Sequence, residues 1–136
     1  MLVGPRAVLI RGPSGSGKSR LAYALIQTSR LPFARLVGDD RVHVEAIHGR
    51  LLVRPAAMLA GLIEVRGLGI RQVPHEPVAV VGLVIDLGAA DAARLPETAS
   101  QTCEIERITL PRLPVAAGQE ALPLVLSYLQ TADRLA

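Results

Sequence analysis

AVLIRGPSGSGKSRLAYALI, residues 7–26, is the stretch whose reading decides the fold. Ala7–Ile10 is a short unbroken apolar run, the pattern of a strand buried on both faces. After the loop that follows it, Leu21, Ala22, Leu25 and Ile26 fall on one helical stripe. Strand, glycine loop and helix are therefore legible from apolar spacing alone. The loop itself, GPSGSGKS, meets the pattern G-x-x-x-x-G-K-[ST] at Gly12, Gly17, Lys18 and Ser19. Glycines let successive backbone N–H groups converge on phosphate oxygens with no Cβ in the way. The helix beginning near Lys18 adds its N-terminal amides and dipole to the same anion. Gly12, Pro13, Ser14, Gly15, Ser16, Gly17, Lys18 and Ser19 thus form a candidate nucleotide cradle. Lys18 is expected to reach the terminal phosphates, and the Ser19 hydroxyl to ligate Mg²⁺.

Around this element the composition is that of one compact α/β domain, expected to span residues 1–136. Half of the residues are hydrophobic and 20% are charged. The core must be aliphatic, because Phe33, Tyr23 and Tyr128 are the only aromatics and there is no Trp. The net charge of +3 is modest, and of fifteen Lys and Arg only Lys18 is lysine, which leaves fourteen scattered arginines. No basic block with interleaved aromatics points to nucleic acid. The single cysteine, Cys103, excludes an intramolecular disulfide framework and a cysteine-rich zinc site. No apolar run approaches the length of about twenty residues that spans a bilayer. The start has neither the basic region nor the cleavage site of a signal peptide, so the expectation is a cytoplasmic protein.

Pro32 closes the loop after the first helix, and Ala34–Gly38 is a second strand candidate ending in Asp39-Asp40. Val42, Val44 and Ala46 alternate with polar residues before His48-Gly49, and Leu51–Val53 follows, which predicts a β-hairpin. Ala56–Leu62 reads as a short helical turn or irregular chain. Glu64–Ile70 is extended chain broken by Gly67 and Gly69. Val78–Leu87 is another buried strand, ending at Asp86. Glu104–Leu110 alternates as an edge strand would, with Pro111 and Pro114 expected to stop it. Gln119–Leu135 carries Leu122, Val125, Leu126 and Leu129 on one stripe, a closing helix with Pro123 in its first turn. Strand content is high for a doubly wound nucleotide fold.

A phosphate cradle needs an acid for the metal and a group to take the proton of the nucleophile. Asp86, after a hydrophobic run, fits the usual metal-binding strand end, though a solvated strand end is the plainer reading. Asp39-Asp40 offers two carboxylates that face different ways on extended chain, one toward a metal and one toward a substrate hydroxyl. Their alternative is a turn with local caps. Glu64, just before Arg66-Gly67-Leu68-Gly69, is the other candidate, on a motif that is by itself more often a tight turn.

RGPSGSGKS, RLVGDDRV and LIEVRGLGI, in that order, resemble the catalytic domain of HPr kinase/phosphorylase in its short form. The resemblance runs from about Val3 to Ile70 and more loosely to the C-terminus. It implies a P-loop kinase fold akin to phosphoenolpyruvate carboxykinase, with a strand-rich core, a P-loop helix and a C-terminal helix. It also implies an ATP- and Mg²⁺-dependent serine kinase acting on an HPr-like carrier of the phosphotransferase system. Phosphorolysis of the phosphoserine is the reverse reaction of the long enzymes, and hexamers are common in the family.

Carried over residue by residue, Ser19 and Glu64 are the expected magnesium ligands. Asp40 is the expected base, Asp39 its support, and Lys18 the charge-stabilising cation. The family's histidine lies upstream of the P-loop and has no counterpart from Met1 onward, and His43, His48 and His75 are expected at the surface or in turns. Gln119 stands where the family carries an arginine in a Val-x-x-Gly-Arg-Asn-like segment, and a neutral amide cannot supply the same transition-state charge. Two alternatives stay open: a nucleotide-binding sensor with weakened catalysis, and a small-metabolite kinase, which the absence of an arginine-rich lid disfavours.

Overall fold

The computed structural model describes residues 1–39 and 41–131. Its elements in chain order are β1 (Leu2–Val3), β2 (Arg6–Arg11), α1 (Lys18–Gln27), β3 (Ala34–Arg35), β4 (Val42–Ile47) and β5 (Arg50–Pro55). They are followed by β6 (Leu62–Val65), β7 (Gly69–Gln72), β8 (Ala79–Leu87), β9 (Thr102–Ile105), β10 (Ile108–Val115) and α2 (Ala121–Gln130). Short 3₁₀ turns lie at Ala57–Leu59 and Thr98–Gln101. The strand-rich α/β architecture with one helix after the glycine loop and one near the end is the expected one.

The main sheet runs β3-β1-β2-β8-β10-β9, and the β4–β5 hairpin joins it through β5 and β8. Parallel pairing of β2, β8 and β10 makes β8 the central strand, and its nine residues are apolar apart from Gly82 and Asp86. A strand covered on both faces needs no polar alternation. The side-chain parity of β8 changes at Gly82. Ala79 and Val81 face the β4–β5 side with Val84, while Leu83, Ile85 and Leu87 face the helices. The switch is a β-bulge: Ala7 pairs with Val81 but Val8 with Leu83, leaving Gly82 unpaired. A Cβ at Gly82 would stand 2.9 Å from Arg6 Cβ, so glycine is required there by close approach.

Two aliphatic cores follow from this one strand. On one face α1 buries Leu21, Ala22 and Leu25, and α2 buries Val125, against Val8, Ile85 and Val115. On the other face the β4–β5 hairpin buries Leu51 and Val53 against Ala7, Val81 and Leu110. That hairpin turns at His48 (φ 50°) and Gly49 (φ 75°), two consecutive left-handed residues that match the twist of the strands.

Several expectations are corrected. Pro111 and Pro114 do not stop a strand; both lie inside β10. Residues 108–111 pair only with β9 and residues 112–115 only with β8. Each proline therefore has an open flank for its missing N–H. The alternation over Glu104–Leu110 is not one strand but the end of β9, a tight turn at Glu106 and Arg107 (φ 50° and 64°), and the start of β10. The strand at Ala34–Gly38 shrinks to Ala34–Arg35 plus a bridge from Leu36 to His75. The closing helix begins at Ala121 and ends at Gln130; Leu135 lies outside the described residues. Among the described residues no helix is long and apolar enough to cross a membrane.

Candidate functional site

The glycine loop joins β2 to α1 at the carboxyl edge of the parallel strands, where the chain must leave the sheet and immediately begin a helix. Gly15 (φ 80°) and Gly17 (φ 96°) hold left-handed backbone that side chains rarely adopt. Gly12 is fixed by packing: a Cβ there would sit 2.5 Å from Ser16 Oγ and 3.1 Å from Leu87. Ser16 Oγ is itself buried with no hydrogen-bond partner. The loop is thus a tight arc with an unused hydroxyl, which suits the binding of an anion. Lys18 Nζ folds back over it, donating to Gly12 O at 2.8 Å and Pro13 O at 3.3 Å. The ammonium is held where a phosphate would compete for it.

Beside this arc the Ser19 hydroxyl donates to Asp39 Oδ1 at 2.6 Å. The other oxygen, Asp39 Oδ2, accepts from the Glu64 backbone N–H at 3.1 Å. One carboxylate therefore ties the first turn of α1 to β6. Ile63, fully buried against the α1 core, anchors β6 from below. The β6–β7 hairpin then turns through Arg66–Leu68, with Gly67 and Gly69 both at positive φ. The Glu64 side chain is exposed beside its own bonded N–H. The resemblance implies a supporting role for Asp39, and the pair read by itself puts one carboxylate toward a metal; Asp39 touches Ser19. Asp40, the expected base, lies outside the described residues.

Asp86 is different, and both readings offered for it fail. Its side chain is 16% exposed, so it is no solvated strand end. Nor is it free for a metal. Arg11 grips it with two parallel bonds, Nε to Oδ1 at 2.7 Å and Nη2 to Oδ2 at 2.8 Å. Arg112 Nε donates to Oδ2 at 2.5 Å, and the rest of that guanidinium holds both Asp91 oxygens and Ser100 O. Burial pushes the Asp86 carboxyl up, but the hydrogen bonds from Arg11 and Arg112 outweigh it and hold the group below the usual carboxylate range. This cluster, at the end of β2, near the end of β8 and midway along β10, is a brace.

Four other residues need placing. Gln119 closes the turn before α2: its Oε1 accepts from the Ala116 N–H at 3.2 Å. His43 and His48 lie at the surface, as expected, but His75 is half-buried, with Nδ1 only 2.6 Å from where a Gly61 Cβ would be. Among the described residues no three His, Cys, Asp or Glu side chains gather into a ready-made cation cage. What exists is a hydroxyl, the Asp39 carboxylate and the nearby Glu64. That oxygen set suits a cation that keeps most of its water and shares the substrate's phosphates, as Mg²⁺ does.

Comparison with known proteins bears on the family and the fold. The family described as HPr Serine kinase C-terminal domain matches residues 2–126. The HPr kinase/phosphorylase of Clostridium tetani is 45% identical over 67 residues, 49% of this chain and 21% of that protein. That of Mycoplasma genitalium is 41% identical over 63 residues, 46% of this chain and 19% of that protein. The aligned stretch thus spans about a fifth of these relatives' length. The solved structure of the Hpr(Ser) kinase/phosphatase from Coxiella burnetii shares the fold, with TM-score 0.75 at 24% identity, covering 94% of this chain and 88% of that one.

Proposed function

We infer a function from one premise: this chain belongs to the HPr Serine kinase C-terminal domain family. On that premise it is an ATP-dependent protein serine kinase, a single catalytic unit that phosphorylates a small HPr-like phosphocarrier protein. The observation that carries this reading is the Asp39 carboxylate, bonded at once to Ser19 of the cradle and to Glu64 of the EVRGLGI segment. Three separate stretches of sequence converge there, and each has a role in phosphoryl transfer.

The residues divide the work as follows. The backbone N–H groups of Gly12–Ser19 receive the phosphates, and Lys18 exchanges its two loop carbonyls for phosphate oxygens. Ser19, Glu64 and Asp39 would hold Mg²⁺, which when bound neutralises charge on the phosphate oxygens. The carrier's serine oxygen attacks the γ-phosphorus, the bond to the β-phosphate oxygen breaks, and ADP leaves. The serine proton goes to Asp40, for which a carboxylate beside the nucleophile suffices as base. A cytoplasmic site of action and self-association into a hexamer go with this reading, the latter testable by light scattering.

The test is transfer of labelled γ-phosphate to an HPr-like carrier. Label on the carrier's serine is expected, with Asp40→Asn slowing it by about 10²-fold or more. No label, or a rate indifferent to Asp40→Asn, would overturn the assignment. A second reading, a nucleotide-binding sensor of the same fold, is favoured by one observation. Gln119, where the family's arginine would stand, is neutral and already engaged in its own turn. The same feature argues against the phosphorolysis direction. ATP binding without turnover on any carrier would favour the sensor.

A further inference from the structure

β4 (Val42–Ile47) pairs along its whole length with β5 and, among the described residues, with no other strand. Its register runs without a slip from Val42 opposite Pro55 to Ile47 opposite Arg50. Edge strands are usually guarded by a lysine, a proline, a bulge or very short length, which keep other chains from adding to them. β4 has none of these.

The hairpin's parity decides which backbone groups face outward. The two-residue turn at His48 and Gly49 makes Ile47 and Arg50 a pair that exchanges both backbone hydrogen bonds, and such pairs alternate along the ladder. Glu45 and His43 therefore direct their N–H and C=O groups to β5. Arg41 O continues the series, accepting from the Ala56 N–H at 3.3 Å. Val42, Val44 and Ala46 point theirs away from the hairpin. Their side chains are on the inner face, since Val44 pairs with buried Val53 and Ala46 with buried Leu51. His43 and Glu45 are exposed on the outer face.

Two copies of β4 laid antiparallel can join these outward groups only if Val42, Val44 and Ala46 face one another. Centring the pair on Val44 uses all three: Val44 faces its own copy, and Val42 faces Ala46. The same register sets His43 of each copy opposite Glu45 of the other, in the non-hydrogen-bonded pairs where side chains come closest. Sliding the pairing by two residues either way sets His43 against His43 or Glu45 against Glu45. The edge is thus self-complementary in one register. We propose that the free flank of β4 is a self-pairing surface, joining two copies of this chain antiparallel about Val44 into one continuous sheet. Each Glu45 carboxylate, bonded to its own Arg54 at 3.2 Å, accepts a second hydrogen bond from the copy's His43. An imidazole offers an N–H in either protonation state. On the inner face the two Val44 side chains meet and extend the aliphatic core of the hairpin side.

Sedimentation velocity over a range of concentrations tests this on the full chain and three variants, with circular dichroism to confirm folding. The parent should associate in pairs. His43→Glu, at an exposed position, sets like charges opposite each other twice and should weaken association about tenfold or more. Exchanging the two residues, His43→Glu with Glu45→His, restores the complementarity and should bring affinity back to within about threefold of the parent. Ala46→Pro removes an outward N–H that the hairpin does not use, so the chain should fold and lose association. A parent that stays monomeric, a folded His43→Glu or Ala46→Pro chain that associates as tightly as the parent, or an exchange no better than His43→Glu alone would overturn the proposal. The surface rests on sheet geometry and not on the kinase reading. Phosphate transfer by a monomeric chain would sink the surface and leave that reading, and association without transfer would do the reverse.

Discussion

Asp39 follows the short β3 and the bridge at Leu36, Asp86 stands next to last in β8, and either could complete a phosphate site by its position in the sequence. Asp86 faces two guanidinium groups, one of which also holds Asp91. Its charge is spent inside the fold. Asp39 faces a hydroxyl and a backbone N–H, neutral donors that orient the carboxylate and leave its charge available. What separates a metal-directed acid from a brace is the formal charge of its partners, which no local motif reveals.

Four experiments probe this contrast. The largest effect is expected from Asp39→Asn: phosphoryl transfer should fall by about 10²-fold or more with the melting temperature nearly unchanged. Equal activity in the variant would put Asp39 on the structural side. Next, Asp86→Asn should leave transfer at low temperature within a few-fold but destabilise the fold by about 2–3 kcal/mol, since Arg11 loses its counter-charge and Arg112 keeps only Asp91. Chemical denaturation measures it. A stable but inactive Asp86→Asn protein would reverse the roles.

The third effect is on pH. The Asp86 carboxyl is held lower in the fold than in the unfolded chain. Its contribution is complete above the unfolded value near about 3.9 and is lost as pH falls through the folded one. The acid limb of a stability profile should therefore be shallower in Asp86→Asn than in the parent; an identical limb would contradict the pairing. The smallest is Arg112→Lys, which keeps a charge but not the fork that spans Asp86 and Asp91. It should cost about 1 kcal/mol by chemical denaturation, less than Asp86→Asn, and leave ATP binding untouched.

The difference between these two acids also marks where the sequence was readable. Residues 7–26 encode strand, loop and helix in local spacing, and His48-Gly49 encodes a hairpin by its backbone preference. Such features depend on neighbours a few positions apart. Asp86 depends on Arg11, 75 positions away, and Arg112, 26 positions away, so its engagement has no local signature. The prolines of β10 misled for a related reason. Their tolerance comes from a strand that changes partner midway, a property of the sheet. The turn at Glu106 and Arg107 lacks the glycine that would have announced it, and β9 and β10 merged into one apparent alternation. Asp39-Asp40 was legible as a site, but the bond from Ser19 to Asp39 required the fold.

The most direct test compares Mg²⁺-dependent ATP binding in the parent chain, Asp39→Asn and Asp86→Asn by calorimetry with and without the metal. If Asp39 completes the cation site beside Ser19, Asp39→Asn should lose the gain in affinity that Mg²⁺ confers, while Asp86→Asn keeps it. A full Mg²⁺ gain in Asp39→Asn, or its loss in a folded Asp86→Asn, would contradict the account.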